Sequence, residues 1–164
     1  MFMAEKFFRS DSFNLALYGY GTYPGFLQIT EDYNFTKAAN LAEYYAGVSY
    51  LKTGNYEDAV DFLESFKTDD LLLGAAKYSA IGDAYVEMEE YESAVKAYQK
   101  AISDYKNDYS TPIILKKTAL VYEEIEEFDR ANNTYLEIKR EFPESEEARD
   151  IEKYIARTKM KAQG

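Results

Sequence analysis

The feature that most constrains this chain is a frame that returns three times. Tyr91-x2-Ala94-x3-Tyr98 is repeated as Tyr56-x2-Ala59-x3-Leu63 and as Phe128-x2-Ala131-x3-Tyr135. The alanines at 59, 94 and 131 recur every 35 to 37 residues. A second frame precedes each of these: Ala46-Gly47-x2-Tyr50, Tyr78-x2-Ile81-Gly82-x2-Tyr85 and Leu115-x2-Thr118-Ala119-x2-Tyr122. Self-similarity at such a period is the mark of a repeat architecture. Within each frame the spacings i, i+3, i+4 and i+7 lie on one face of a helix. Each copy is therefore two amphipathic helices joined by a short turn.

A glycine inside a helix costs about 1 kcal/mol relative to alanine. Close packing of the paired helices can offset that cost, so Gly82 is expected to face Ala94 where the two axes cross. The copies are bounded as 40–73, 75–108 and 112–145.

The pattern resembles the tetratricopeptide repeat (TPR), whose signature is W-x2-L-G-x2-Y…A-x3-F…P. Copy two fits it best, with Tyr78 in the tryptophan place, and Pro143 takes the terminal proline place in copy three. The resemblance implies an all-α fold, a right-handed superhelix of antiparallel helix pairs. Two departures stand out. Glu43 replaces the leading aromatic of copy one, and the turn glycine kept as Gly54 becomes Glu89 and Glu126 in the later copies. Those later turns are expected to have changed geometry, because a side chain at positive φ costs roughly 1–2 kcal/mol.

The ends extend the array. Phe13-x2-Ala16-x3-Tyr20 repeats the second-helix frame, and Met3-Ala4-x2-Phe7 imitates the end of the first. Residues 1–39 thus read as a degenerate repeat followed by an extra short helix, FLQITEDY (26–33), after the breaker GYGTYPGF (19–26). Thr36 is the expected cap of the next helix. By extrapolation the chain starts inside a repeat, so more chain is expected upstream. Residues 145–160 read as a capping helix with Ser145 at its N-cap, acidic residues in its first turn and basic ones in its last. The whole, 1–164, reads as a single TPR domain.

SFNLAL, TKAANLAEYYAG, TPIILKK and RDIEKYIAR also resemble a group of bacterial TPR proteins that carry one N-terminal membrane helix before a soluble portion. That resemblance implies anchoring in the inner membrane, with the repeats on the periplasmic side. A cytoplasmic location is the alternative.

Composition narrows the chemistry. Net charge is −11, from 19 basic and 30 acidic side chains. Nucleic acid and anionic lipid surfaces both call for the opposite sign. With no histidine and no cysteine, the commonest acid–base group, the commonest zinc ligand and thiolate chemistry are missing. No catalytic residue, cofactor site or metal site is assigned. The acidic clusters EMEEYE (87–92), EEIEE (123–127) and ESEE (144–147) fall at helix ends and turns and read as solvated surface. Asn34-Phe35-Thr36 and Asn132-Asn133-Thr134 match a glycosylation acceptor pattern, the second inside a helix.

What remains is a groove. In TPR arrays the first helices of successive repeats line a concave face. The corresponding side chains are Tyr44, Val48, Leu51 and Lys52, then Ser79, Asp83, Val86 and Glu87, then Lys116, Leu120, Glu123 and Glu124. The lysine and asparagine of carboxylate-clamp TPR domains are replaced by Tyr44 and Val48. Asp83 and Glu87 are expected to be exposed. The expected function is a non-enzymatic scaffold that binds a protein or peptide with an apolar face and positive charge. Self-association and assembly or chaperone docking near secretion machinery are the alternatives.

Overall fold

The computed structural model describes residues 1–163. Among them are ten α-helices and no strand beyond one isolated bridge between Tyr20 and Tyr23. The chain divides into two compact units, Met1–Thr68 and residue 69 onward.

The first unit holds α1 (Phe2–Arg9), α2 (Phe13–Tyr18), α3 (Phe26–Asp32), α4 (Lys37–Thr53) and α5 (Tyr56–Ser65). The expected short helix is α3. Thr36 caps α4 by accepting a hydrogen bond from the Ala39 amide at 3.1 Å. Aromatic rings fill this core. Phe26 stacks on Tyr45 with centroids 5.1 Å apart, and Phe8 meets both edge-on. Asn40 ties the start of α4 to the chain leaving α5. Its side chain accepts from the Lys67 amide and donates to the Lys67 carbonyl, each at 2.8 Å.

The second unit holds α6 (Leu71–Glu87), α7 (Tyr91–Asp104), α8 (Ser110–Glu124), α9 (Phe128–Glu141) and α10 (Ile151–Gln163). Asp70 caps α6 by accepting from the amides of Leu72 and Leu73 at 2.9 Å. Asn107 does the same for α8, accepting from Ser110 at 2.8 Å, while its own amide donates to Thr111 Oγ1 at 2.9 Å. The paired helices interlock as the repeat frame requires. Ala59, Ala94 and Ala131 are each fully buried, as are Leu63 and Tyr135 one turn later.

The packing partner of the mid-helix glycine differs from expectation. A Cβ on Gly82 would lie 2.3 Å from the ring of Tyr98, which, rather than Ala94, fills the space the missing side chain leaves. The same arrangement recurs in the first unit, where a Cβ on Gly47 would meet the Leu63 side chain at 2.6 Å. Bare backbone on the first helix thus admits a bulky residue from the second.

The inter-helix turns also correct the sequence reading. Gly54 sits in the left-handed region at φ 81°, and Glu89 and Glu126 take the same region at φ 60°. The glutamates have not changed the turn; they adopt it. In each copy the amide after that residue donates to a carbonyl five positions back: Asn55 to Tyr50 at 3.0 Å, Glu90 to Tyr85 at 2.9 Å and Glu127 to Tyr122 at 2.8 Å. This bond is the helix-ending pattern that satisfies orphan carbonyls through a left-handed residue. The α1–α2 turn has it as well, with Asp11 at φ 54° and Ser12 donating to Phe7 at 2.9 Å.

The last helix starts later than expected. Ser145 does accept from the Ala148 amide, at 3.2 Å, but the chain then makes a run of tight i+3 turns. The α-helical stretch begins only at Ile151 and runs to Gln163. Those turns bring Ile151, only 1% exposed, into the core beside α9. Tyr154 then packs on Tyr135 with centroids 5.2 Å apart, and Asn132 donates to the Ile155 carbonyl and to Thr158 Oγ1, each at 2.9 Å.

Candidate functional site

In the second unit, α6 and α8 run beside one another, and side chains one to two turns apart on each converge. Ser79, Asp83 and Val86 form one stripe of α6, at i, i+4 and i+7. Ile113, Lys117, Leu120 and Glu124 form the facing stripe of α8.

An ion pair sits in the middle of this face. Lys117 Nζ lies 2.8 and 2.7 Å from the two Asp83 carboxylate oxygens and 3.0 Å from Ser79 Oγ. The Tyr98 hydroxyl donates to Asp83 Oδ1 from the other side at 2.7 Å. Burial, then the negative charge of Asp83 and the bond to it, push the Tyr98 phenol well above its usual pKa. Asp83 is therefore half-buried and bonded on two sides, not the free exposed carboxylate expected from its position. Glu87, at the end of the stripe, is exposed as expected.

Two recesses flank the ion pair. One, about 300 Å³, is lined by Val86, Tyr91, Tyr98, Lys117, Leu120, Val121 and Glu124. The other, about 340 Å³, lies at the opposite end of α6 and α8 between Leu72, Leu73, Ala76, Tyr109 and Ile113. Leu72 is 55% exposed, Tyr109 76% and Leu120 44%, so the walls present apolar surface to solvent.

The candidate groove residues thus separate. Val86, Leu120 and Glu124 meet at the first recess, and Ser79 lines the second. Lys116 and Glu123 lie on another stripe of α8 that turns toward α10. Lys116 Nζ stands 5.3 Å over the Tyr154 ring. The Glu123 carboxylate accepts from the Tyr135 hydroxyl at 2.8 Å and from Arg157 at 2.5 Å. In the first unit, Tyr44 is half-buried against Phe66, with centroids 5.2 Å apart, and burial followed by the neighbouring Tyr45 raises its pKa. Val48 and Leu51 are half-buried and Lys52 is exposed.

Leu72, Leu73, Tyr109 and Ile113 escaped the sequence reading. The repeat frame of copy two begins at 75, which left out the first turn of α6. The signal was local: Asp70 is a capping residue directly ahead of three leucines.

No group of three or more acidic side chains among the described residues is arranged to hold a metal ion. No helix among them is long and apolar enough to cross a membrane.

Models of the tetratricopeptide repeat match residues 41–70, 78–103 and 117–145. No curated protein sequence matches the chain. Among solved structures it is similar to MamA, with a TM-score of 0.69 and 22% identity over 99% of this chain and 96% of that one. A second MamA structure gives a TM-score of 0.67 at the same identity, covering 99% and 90% of the two chains. It is also similar to a Podosopora anserina putative kinesin light chain with nearly identical TPR-like repeats, with a TM-score of 0.69 and 12% identity over 98% and 84%. At these identities the likeness shows the all-α TPR solenoid fold. The chain belongs to the tetratricopeptide repeat family, whose fold generally serves as a non-enzymatic scaffold for protein interaction.

Proposed function

We propose that the chain is a protein-binding scaffold that takes its partner, a peptide or helix, along the α6–α8 face and performs no chemistry itself. The observation that carries this reading is the pair of apolar recesses between α6 and α8, where Leu72, Tyr109 and Leu120 present exposed apolar surface above the buried side chains at their floor. Exposed apolar surface of this kind marks interaction sites in monomeric proteins. The acidic surplus of the chain favours a partner with basic residues and speeds its encounter at low salt.

The test places a photo-crosslinkable side chain at position 120 and, separately, at position 133 on the exposed side of α9. A partner crosslinked from 120 and not from 133 supports the reading. Crosslinks from 133 alone move the site to the second helices. The sequence resemblance to membrane-anchored proteins supports a further part of the proposal, that the scaffold works at the periplasmic side of an inner membrane. Protease accessibility of the full-length protein in spheroplasts tests it, and protection there would place the scaffold in the cytoplasm.

A further inference from the structure

Residues 12–30 carry no acidic or basic side chain, in a chain that is 30% charged. They form α2, a tight turn and most of α3. The stretch also presents apolar surface to solvent: Leu15 is 38% exposed, Tyr18 and Tyr20 67% each, and Tyr23 51%. From this uncharged patch of tyrosines we infer that the first unit pairs with a second copy of the chain, patch on patch, in a weak two-fold dimer. The turn that presents the rings is held rigidly. Tyr20 and Tyr23 exchange backbone hydrogen bonds, each at 3.0 Å. Residues paired in this way lie about 5.5 Å apart and point to one face. A Cβ on Gly19 would collide with the Tyr23 carbonyl oxygen, and one on Gly25 with that of Leu17, so the bare backbones nest against each other and against α2. Tyr18 is anchored by its bond to Tyr50 of α4. A ring presented on a fixed backbone loses little conformational freedom when it is covered.

Charge selects the occupant. Each chain carries a net charge of −11, so two copies repel wherever their acidic surfaces meet. Across residues 12–30 they can approach with no charge to desolvate. A patch that meets itself across a two-fold axis has to be self-complementary. Neutral tyrosines meet that condition, since each offers a ring face, a ring edge and a hydroxyl that both donates and accepts. Size sets the strength. At about 200 Å² for a whole side chain, the four exposed residues offer about 400 Å² per copy. That is about half of what each partner contributes to a stable interface, so the dimer belongs to the weak class.

The test is sedimentation equilibrium of the whole chain from micromolar to millimolar concentration, at low and at high salt. The mass is expected to rise from 18.9 kDa toward twice that value. It should rise further at high salt, which screens the repulsion between acidic chains and leaves the apolar contact intact. Tyr20→Glu and Tyr23→Glu, both at exposed positions, should each keep the chain monomeric with an unchanged circular dichroism spectrum. Leu120→Glu adds the same charge on the α6–α8 face and should leave the dimer in place. The chain has no cysteine, so Thr22→Cys puts a single thiol at the exposed tip of the turn. A bismaleimide should link two copies through it and should not do so through Asn133→Cys on α9. A chain that stays monomeric at millimolar concentration, or an association that weakens with salt or survives both tyrosine variants, would overturn the inference. Association lost in Leu120→Glu alone would overturn it as well and move the self-contact to the α6–α8 face. A monomer that floats with phosphatidylcholine vesicles, and no longer does so in Tyr20→Glu, would take the patch from the second copy and give it to a neutral bilayer.

Discussion

The Tyr98 ring lies where a side chain at position 82 would be, and its hydroxyl continues to Asp83 one residue further along the same helix, 2.7 Å away. One aromatic residue thus joins the packing of α6 and α7 to the polar bridge that Lys117 completes from α8. Gly82→Ala would relieve the helix of about 1 kcal/mol of glycine cost. It would also drive a Cβ into a ring that is 2% exposed and cannot swing out. Overpacking of this kind costs typically 1–3 kcal/mol, so Gly82→Ala is expected to be mildly destabilising and Gly82→Leu severely so. Chemical denaturation of the two variants measures both. A Gly82→Leu midpoint equal to the parent's would mean that Tyr98 does not occupy this space.

The buried phenols give the stability an alkaline edge. Tyr98 and Tyr135 both have pKa values raised first by burial, and then by Asp83 and Glu123 respectively. Tyr50 is pushed up to about 12 by burial and its bond to Tyr18. A phenol whose folded pKa exceeds its unfolded value near 10 stabilises the fold fully below pH 10 and loses that contribution as pH climbs through the folded value. Stability is therefore expected to be flat from pH 8 to about 10 and to fall between about 10 and 12. Tyr98→Phe should cost about 1.5–3 kcal/mol at pH 8, the worth of a hydrogen bond to a charged acceptor. It should also flatten the alkaline decline, because the group that must ionise is gone. Urea midpoints across this range report both effects, and an unchanged slope in the variant would contradict the assignment.

Glu89 and Glu126 are two places where the chain is less stable than its fold allows. Both hold φ 60°, the conformation Gly54 supplies in copy one without steric cost. A side chain there costs roughly 1–2 kcal/mol, and glycine returns part of this through its larger unfolded-state entropy. Glu89→Gly and Glu126→Gly are each expected to stabilise the chain by about 0.5–1 kcal/mol and to add when combined, as distant sites do. A thermal melt of the double variant that failed to rise would show that the carboxylates contribute something at these turns that outweighs the strain.

The helix pairs were legible because the frame residues are the buried ones. Ala59, Ala94 and Ala131 are fully buried, so burial and spacing carry the same signal. The glycine's partner was not legible, since the frame gives a face of the helix but not which turn of the neighbour stands opposite. Tyr98 and Ala94 share that face. The turns at Glu89 and Glu126 misled the reading for a different reason. Local preference opposed the positive φ, and the packing of the flanking helices overrode it. At the site, periodicity could place residues on α8 but not assign its two polar stripes to neighbours. Lys117 and Leu120 face α6, while Lys116 and Glu123 face α10, and the difference is one residue of phase.

Arg157 closes the array through Glu123, whose side chain is only 10% exposed. The carboxylate also accepts from the Tyr135 hydroxyl, so three groups from α8, α9 and α10 meet at one point. Removing the cation leaves a nearly buried carboxylate with a single partner, and breaking such a pair from one side is costlier than removing both partners. Arg157 itself is 46% exposed, so solvent screens part of the interaction. Arg157→Ala is therefore expected to cost about 1–2 kcal/mol, below the range for a fully buried pair. Glu123→Gln, which keeps an acceptor for Tyr135 and removes the charge, should cost less. The double variant should be no worse than Arg157→Ala alone, because the unpaired charge is gone. Hydrogen exchange of the α10 amides gives the local readout, with faster exchange in Arg157→Ala and recovery in the double variant. Additive losses in the double variant would mean that the two side chains act independently and that α10 is held by its other contacts, those of Ile151, Tyr154 and Asn132 among them.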